Sequence, residues 1–249
     1  MRYFLEIAYK GTNYAGWQIQ KNAVSVQQKL DEALATVLRY PVKTIGSGRT
    51  DTGVHCSQQF VHIDVKEAFT EKNRYSLNCV LPSDIAIKSA FRVKDTAHAR
   101  FDALSRSYEY KITPAKDPFL NEFAWRFDKK LDIDKMNQAC EILKKHTDFE
   151  SFSKVHTDVK NFNCEIFSAK WDVEDDLIIF RITANRFLRG MVRAVGGTLI
   201  DVGLGKISIS DFEKVILARD RKQAGSALPP HGLFLCKVAY PEEIFFEEC

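Results

Sequence analysis

The run Ser47-Gly48-Arg49-Thr50-Asp51-Thr52-Gly53-Val54-His55 places an acid, a cation and two hydroxyls between a pair of glycines. Val42, Lys43, Thr44 and Ile45 before it read as a short strand, and Gln58 to Val65 (QQFVHIDV) after it reads as another. The motif is therefore a strand-to-strand connection, and loops held by strands are where reactive side chains concentrate. Gly48 and Gly53 are expected to permit conformations or close approaches that a Cβ would block. Arg49 and Asp51 lie two apart, so in an extended segment both leave the same face. A nearby cation favours the ionised carboxylate, which keeps it ready as a nucleophile or base. The same residues also fit an Asx-type turn, with Asp51 capping the loop and Arg49 a solvated charge.

On the N-terminal side, Tyr3, Leu5, Ile7 and Tyr9 alternate with polar or smaller residues, the period of a half-buried strand. Gly11, Thr12 and Asn13 end it. In the block Tyr9 to Gln18, Tyr14 and Trp17 beside glycines suit either base stacking or core packing. Ser25 reads as an N-cap for a helix through Val26, Leu30, Ala33, Leu34, Val37 and Leu38. Beyond the loop, Lys72 to Cys79 reads as a short helix that ends near Leu81-Pro82, and Ile85 to Val93 as a strand. Strand, helix, strand, strand, helix, strand is an α+β order with a largely antiparallel sheet.

His98 to Ala103 then leads into a strand at Ser107 to Ile112, where the domain joint is expected, dividing the chain into 1–104 and 105–249. In this strand Arg106, Tyr108 and Tyr110 project to one side. The second half opens with a helix at Asp132 to His146, whose Ile133, Met136, Ala139, Cys140 and Leu143 form an apolar stripe. Strands at Glu165 to Val173 and Leu177 to Thr183 are joined by the acidic turn Glu174, Asp175, Asp176. Asn185 then reads as the N-cap of a helix with Arg186, Arg189 and Arg193 along one face. Leu188, Val192, Val195 and Leu199 form its packing face, and Gly196 and Gly197 allow close approach. The segment from Leu177 to Ile200 carries four arginines and no acid. Such a stripe anchors phosphates through salt-sensitive, sequence-independent contacts, or is a solvated helix face.

With 249 residues, 45% of them hydrophobic, the chain has the means to bury roughly 75% of its unfolded surface. A formal charge of +3 singles out no partner by itself. Glu242 to Glu248 forms an acidic tail. The six cysteines include no Cys-x-x-Cys pair, which fits a reduced, cytoplasmic setting and no zinc ribbon. His55 and His62 bracket a strand without converging ligands, so no metal site is expected. No apolar run approaches the roughly 20 residues of a membrane span, and no membrane partner is expected.

The loop closely resembles the signature of the TruA family of tRNA pseudouridine synthases, Gly-Arg-Thr-Asp-Ala-Gly-Val-His-Ala, with Thr52 and Cys56 replacing the two alanines. Further blocks follow in the family's order: Tyr9 to Gln18, with Lys10 and Tyr14 where Asp and Phe are usual; His98 to Ala103; the strand with Arg106-x-Tyr108; His146 to Phe152; Phe187-Leu-x-x-Met-Val-Arg193; and Gly232-Leu-Phe-Leu235. Gly190 stands where many relatives carry a larger residue. The resemblance implies a pseudouridine synthase fold of two similar α+β halves, with mainly antiparallel sheets joined across a central cleft and helices on the outer faces. It also implies a homodimer and isomerisation of uridine to pseudouridine at positions 38, 39 and 40 of the tRNA anticodon stem-loop.

Carried over residue by residue, the resemblance makes Asp51 the nucleophile, Arg193 its charge partner and Tyr108 the stacking platform. Arg49 enters the space left by the flipped base, and Leu233 forms an apolar wall. Arg186 and Arg189 are then RNA-binding residues. Base extrusion costs a few kcal/mol, less in a loop than in a duplex. The isomerisation needs no cofactor, in keeping with a sequence that has no dinucleotide, P-loop or metal signature. Three rival readings remain: a synthase for another structured RNA, a noncatalytic RNA-binding protein, and an aspartate-nucleophile hydrolase or phosphotransferase. A pure binder has no need of the carboxylate, and the hydrolase would usually call for a second positioned carboxylate or a magnesium cluster.

Overall fold

The computed structural model describes residues 1–155 and 159–246, so Glu247, Glu248 and Cys249 at the chain end lie outside the described residues. The chain forms two compact units: Met1–Ser105 together with the segment from Phe234 onward, and Arg106–Leu233. In chain order the first unit carries β1 (Arg2–Tyr9), α1 (Val26–Leu38), β2 (Ile45–Gly46), β3 (His55–Asp64), α2 (Glu71–Val80) and β4 (Ile85–Val93). The second carries β5 (Ser105–Thr113), β6 (Trp125–Arg126), α3 (Ile133–Leu143), β7 (Ile166–Glu174), β8 (Leu177–Ala184), α4 (Met191–Gly203) and α5 (Ile209–Leu217). The last strand, β9 (Leu233–Ala239), returns to the first unit by pairing parallel with β3, His55 opposite Phe234 and Cys56 opposite Leu235. The division at 104 and 105 thus describes the first crossing, while the terminal segment packs with the N-terminal unit.

In the first unit the strands run β4-β1-β3-β9, antiparallel except for the last pair, with β2 added to β3. β1 is central, and its register places Leu5 opposite Val61 and Ala90. Alternation in the sequence marks one buried face, yet Phe4 on the other face is also fully buried. The reason lies far along the chain: Tyr240 and Phe245 meet the Phe4 ring edge-on at 5.1 and 6.1 Å. Ser25 caps α1 by accepting the Gln28 N–H at 3.2 Å. Thr70 and Asn73 form a reciprocal capping box that starts α2. The expected strand at 42–45 shrinks to Ile45–Gly46, because Thr44 is held by α1 instead. Its N–H and hydroxyl donate to Asp31, and its carbonyl accepts from Gln27.

The second unit is built on β5-β8-β7, antiparallel, with the short β6 beside β5. Asp175 and Asp176 turn β7 into β8 with φ of 47° and 65°, the two-residue turn whose twist matches the strands. Trp171 stacks on Phe180 at 4.8 Å, and Phe149, Phe152 and Phe212 are fully buried nearby in sequence to α3 and α5. Asp132 caps α3, which ends at Leu143 rather than running to His146. Both units are therefore α+β with mainly antiparallel sheets. Among the described residues no helix is long and apolar enough to cross a membrane, and no disulfide forms.

The helix α4 departs from expectation. Asn185 does not cap it: its N–H and side-chain oxygen bond Glu165 across the β7–β8 ladder. Gly190, at φ 74°, is the N-cap, and the helix begins at Met191. A left-handed residue cannot continue a right-handed helix, so Arg186 and Arg189 fall on an irregular connector and share no helix face with Arg193. Gly196 and Gly197 do allow close approach. A Cβ at Gly197 would lie 1.8 Å from the Ser226 carbonyl oxygen.

Two outcomes follow. Gly197→Ala must push backbone from backbone and should cost roughly 1 to 3 kcal/mol in urea unfolding, whereas Gly48→Ala, with nothing within 4 Å, should stay within about 0.5 kcal/mol. The second concerns His62, whose Nδ1 accepts the Ala99 N–H and whose burial, with Arg2 nearby, lowers its pKa to about 4. Below its ordinary value near 6.5 the unfolded chain takes up the proton first. Stability should accordingly fall as pH drops from about 6.5 to 4, and His62→Gln should flatten that slope.

Candidate active site

The loop from Ser47 to Val54 is anchored at both ends by β3. Ser47 N–H donates to Phe60 O at 2.8 Å where the chain leaves β2. At the other end His55 opens β3; it is buried, its ring stacks on Phe234 at 4.7 Å, and its Nδ1 accepts the Gly11 N–H. Between these anchors the loop lies directly on the connection from β1 to α1. Thr50 O accepts from Trp17 N–H at 3.3 Å, and Gly53 N–H donates to Tyr14 O at 3.3 Å. A Cβ at Gly11 would sit 2.0 Å from Val54 O, and one at Gly16, which is also at φ 86°, 2.3 Å from Thr50 O. The two backbones touch with no room for side chains, which is why the Tyr9 to Gln18 block needs its glycines.

Tyr14 and Trp17 resolve to the core reading. Both are buried; Trp17 stacks beside Tyr9, and the Tyr14 hydroxyl bonds Asp84. Neither is a platform for bases.

Beneath the loop is a buried polar node. Tyr9 Oη donates to Gln59 Oε1 and lies 2.9 Å from Thr50 Oγ1. Its single proton being committed to Gln59, Tyr9 accepts from the threonine. Gln59 Nε2 in turn donates to Gly48 O at 3.1 Å. Thr50 is thus drawn inward, and its neighbours turn the other way: Arg49 is exposed and Asp51 half-buried. The turn after Asp51 is closed by main chain, Val54 N–H to Asp51 O at 3.1 Å, with Gly53 at φ 76°. Gly48, in contrast, is required neither by space nor by a left-handed φ.

In the second unit, Tyr108 sits mid-strand on β5 opposite Ile182. Tyr110, two residues on, is buried and donates to Pro229 O at 2.9 Å, so it is core. Tyr108 is half-buried, with Phe187 perpendicular to it at 5.2 Å. Arg106 on the same side bonds Asn185 O at 2.7 Å. Arg193 lies in the first turn of α4, half-buried, with Nε donating to Leu228 O and its own carbonyl accepting Leu228 N–H. Arg186 is half-buried with a long bond to Asn161 O, and Arg189 is exposed. Leu233 is buried at the start of β9, just after the turn Pro230–Gly232. Sequence reasoning missed the roles of Tyr9, Gln59 and Phe187; Tyr9 and Phe187 left a trace, each opening a quoted block, and Gln59 left none.

The family model described as "tRNA pseudouridine synthase" matches residues 7–102 and 139–241. The chain belongs to that family, a class of isomerases. Similar relatives share one name, tRNA pseudouridine synthase A. The protein from Parabacteroides distasonis is 49% identical over 246 residues, covering 98% of each chain. That from Bacteroides fragilis is 49% identical with the same coverage. That from Bacillus licheniformis is 38% identical over 96% of this chain and 99% of its own.

Tyr9→Phe should strand Thr50 Oγ1 and Gln59 Oε1 in a dry interior. A loss of about 1 to 3 kcal/mol in urea unfolding is expected, larger than that of the exposed-surface control Tyr75→Phe.

Proposed function

We propose that this chain converts uridine to pseudouridine at positions 38, 39 and 40 in the anticodon stem-loop of tRNA, with Asp51 as the covalent nucleophile. The observation that carries the reading is a loop whose Thr50 is locked inward between an exposed Arg49 and a half-buried Asp51, in a member of this family. The relatives named as tRNA pseudouridine synthase A support the choice of tRNA.

In this reading the carboxylate forms a covalent bond to the uridine, the bond from sugar to ring nitrogen breaks, and the base turns; the sugar then rejoins at carbon 5, the bond to Asp51 breaks to restore the carboxylate, and the freed ring nitrogen takes up a proton from solvent. The proton lost from carbon 5 passes to solvent, with Tyr108 the candidate acceptor. Atoms and oxidation state are conserved within one nucleotide, so the step itself calls for no external group. Tyr108 supplies a ring for the base, a contact of about 1 to 3 kcal/mol in single-strand binding. Arg193 is the charge partner of Asp51, its guanidinium already oriented by Leu228 O. Arg49 fills the gap in the stack, and Leu233 gives an apolar wall. Arg186 and Arg189 contact phosphates from the connector before α4. A cytoplasmic location and a homodimer complete the proposal, the latter to be checked by light scattering.

The test follows tritium released from carbon 5 of an unmodified tRNA transcript with chelator present. Wild type should release it from positions 38–40, and Asp51→Asn should release none while binding tRNA within about twofold of wild type. Release by Asp51→Asn would remove the aspartate from the chemistry. Arg193→Lys should lower kcat at least tenfold in a folded protein, because lysine lacks both the fork and the Nε donor to Leu228.

A further inference from the structure

We infer that Phe187 is a positioning residue that fixes the ring of Tyr108 for the base, a role that rests on the proposed stacking function of Tyr108. The two rings meet at 90° with centroids 5.2 Å apart, the favoured edge-to-face arrangement of aromatic pairs. The backbone of Tyr108 is fixed by the β5–β8 ladder, and a tyrosine side chain on a strand has more than one staggered arrangement open to it. A perpendicular neighbour at this distance favours the arrangement seen.

Phe187 can do so because the connector that bears it is itself pinned. Before it, Asn185 bonds Glu165 through both N–H and side chain, and its carbonyl accepts from Arg106. After it, Leu188 is buried, its carbonyl accepts from Met191 N–H, and the Arg189 carbonyl accepts from Lys154 N–H. Arg106 matters twice here: it lies two residues before Tyr108 on β5 and holds the far end of the connector. Had the helix started at Asn185, Phe187 would belong to its first turn. The left-handed Gly190 instead keeps 185–189 outside the helix, and from this connector Phe187 reaches β5.

A filler of the core would affect stability alone; a residue that orients Tyr108 affects the chemical step. The experiment measures single-turnover tritium release at saturating enzyme, tRNA affinity by filter binding, and unfolding in urea. Phe187→Leu keeps apolar bulk without an aromatic edge and should slow turnover roughly tenfold with affinity within about twofold. Phe187→Tyr keeps the ring and should restore the rate to within about twofold of wild type. Wild-type turnover in Phe187→Leu overturns the inference, as does an equal loss in a folded Phe187→Tyr. Phe187→Met gives the same readout should the leucine variant not fold. Tyr108→Leu separates the layers. If it turns over normally, the stacking reading itself fails; if it is slow while Phe187→Leu is normal, only the role of Phe187 fails.

Discussion

Everything at the proposed reaction centre of the first unit depends on one buried hydrogen-bonded node, Thr50 to Tyr9 to Gln59, with Gln59 also holding Gly48. Loops ordinarily gain solvation at the expense of definition. This one is fastened from below by three side chains that water does not reach, and two of its carbonyls press onto glycines of the β1–α1 connection. A buried polar network costs much if any member is left unsatisfied, so the arrangement is close to all-or-none. That network holds Thr50 inward between an exposed Arg49 and a half-buried Asp51.

The second unit solves the same problem by other means. Tyr108 stands on a ladder strand rather than a loop, and its definition comes from neighbours: Ile182 across the ladder and Phe187 at a right angle. Arg193 likewise gains direction from the main chain of the segment ending at Leu228, to which it both donates and accepts. In each unit a polar or aromatic group meant for a ligand is set by contacts made one layer behind it.

The elements with strong local signals were legible. Ser25 and the apolar spacing after it delimit α1, and the alternation of Ile85 to Val93 coincides with β4. Local signals misled where a distant partner decided the outcome. Val42 to Thr44 look like strand, but the Asp31 carboxylate takes the threonine out of the ladder. The spacing of Arg186, Arg189 and Arg193 fits a helix face, yet the glycine between them carried the contrary signal, and it was the stronger one. The roles of Tyr9 and Gln59 could not have been picked out. Each is a polar group in a strand pattern, and Tyr9 meets Thr50 and Gln59 across separations of 41 and 50 residues. The residues proposed as reactive were named through resemblance; the side chains packed behind them became visible only in the fold.

The return of β9 has a bearing on how the molecule is made. Ser57 and Leu235, which bond across the β3–β9 pair, are 178 residues apart, and the whole second unit lies between them. During synthesis the second unit has its complete sequence before β9 has emerged, whereas the first must wait with the flank of β3 uncovered. The loop with Asp51 springs from that strand, and the His55 ring at its base gains its stacking partner only when Phe234 arrives. The first unit is therefore completed only after the sequence of the second has emerged, and the ring stack at the base of the Asp51 loop is among the last contacts to form. An exposed strand flank in a partly made chain is also an invitation to wrong pairing, so the interval before β9 arrives is the one in which a chaperone has most to offer.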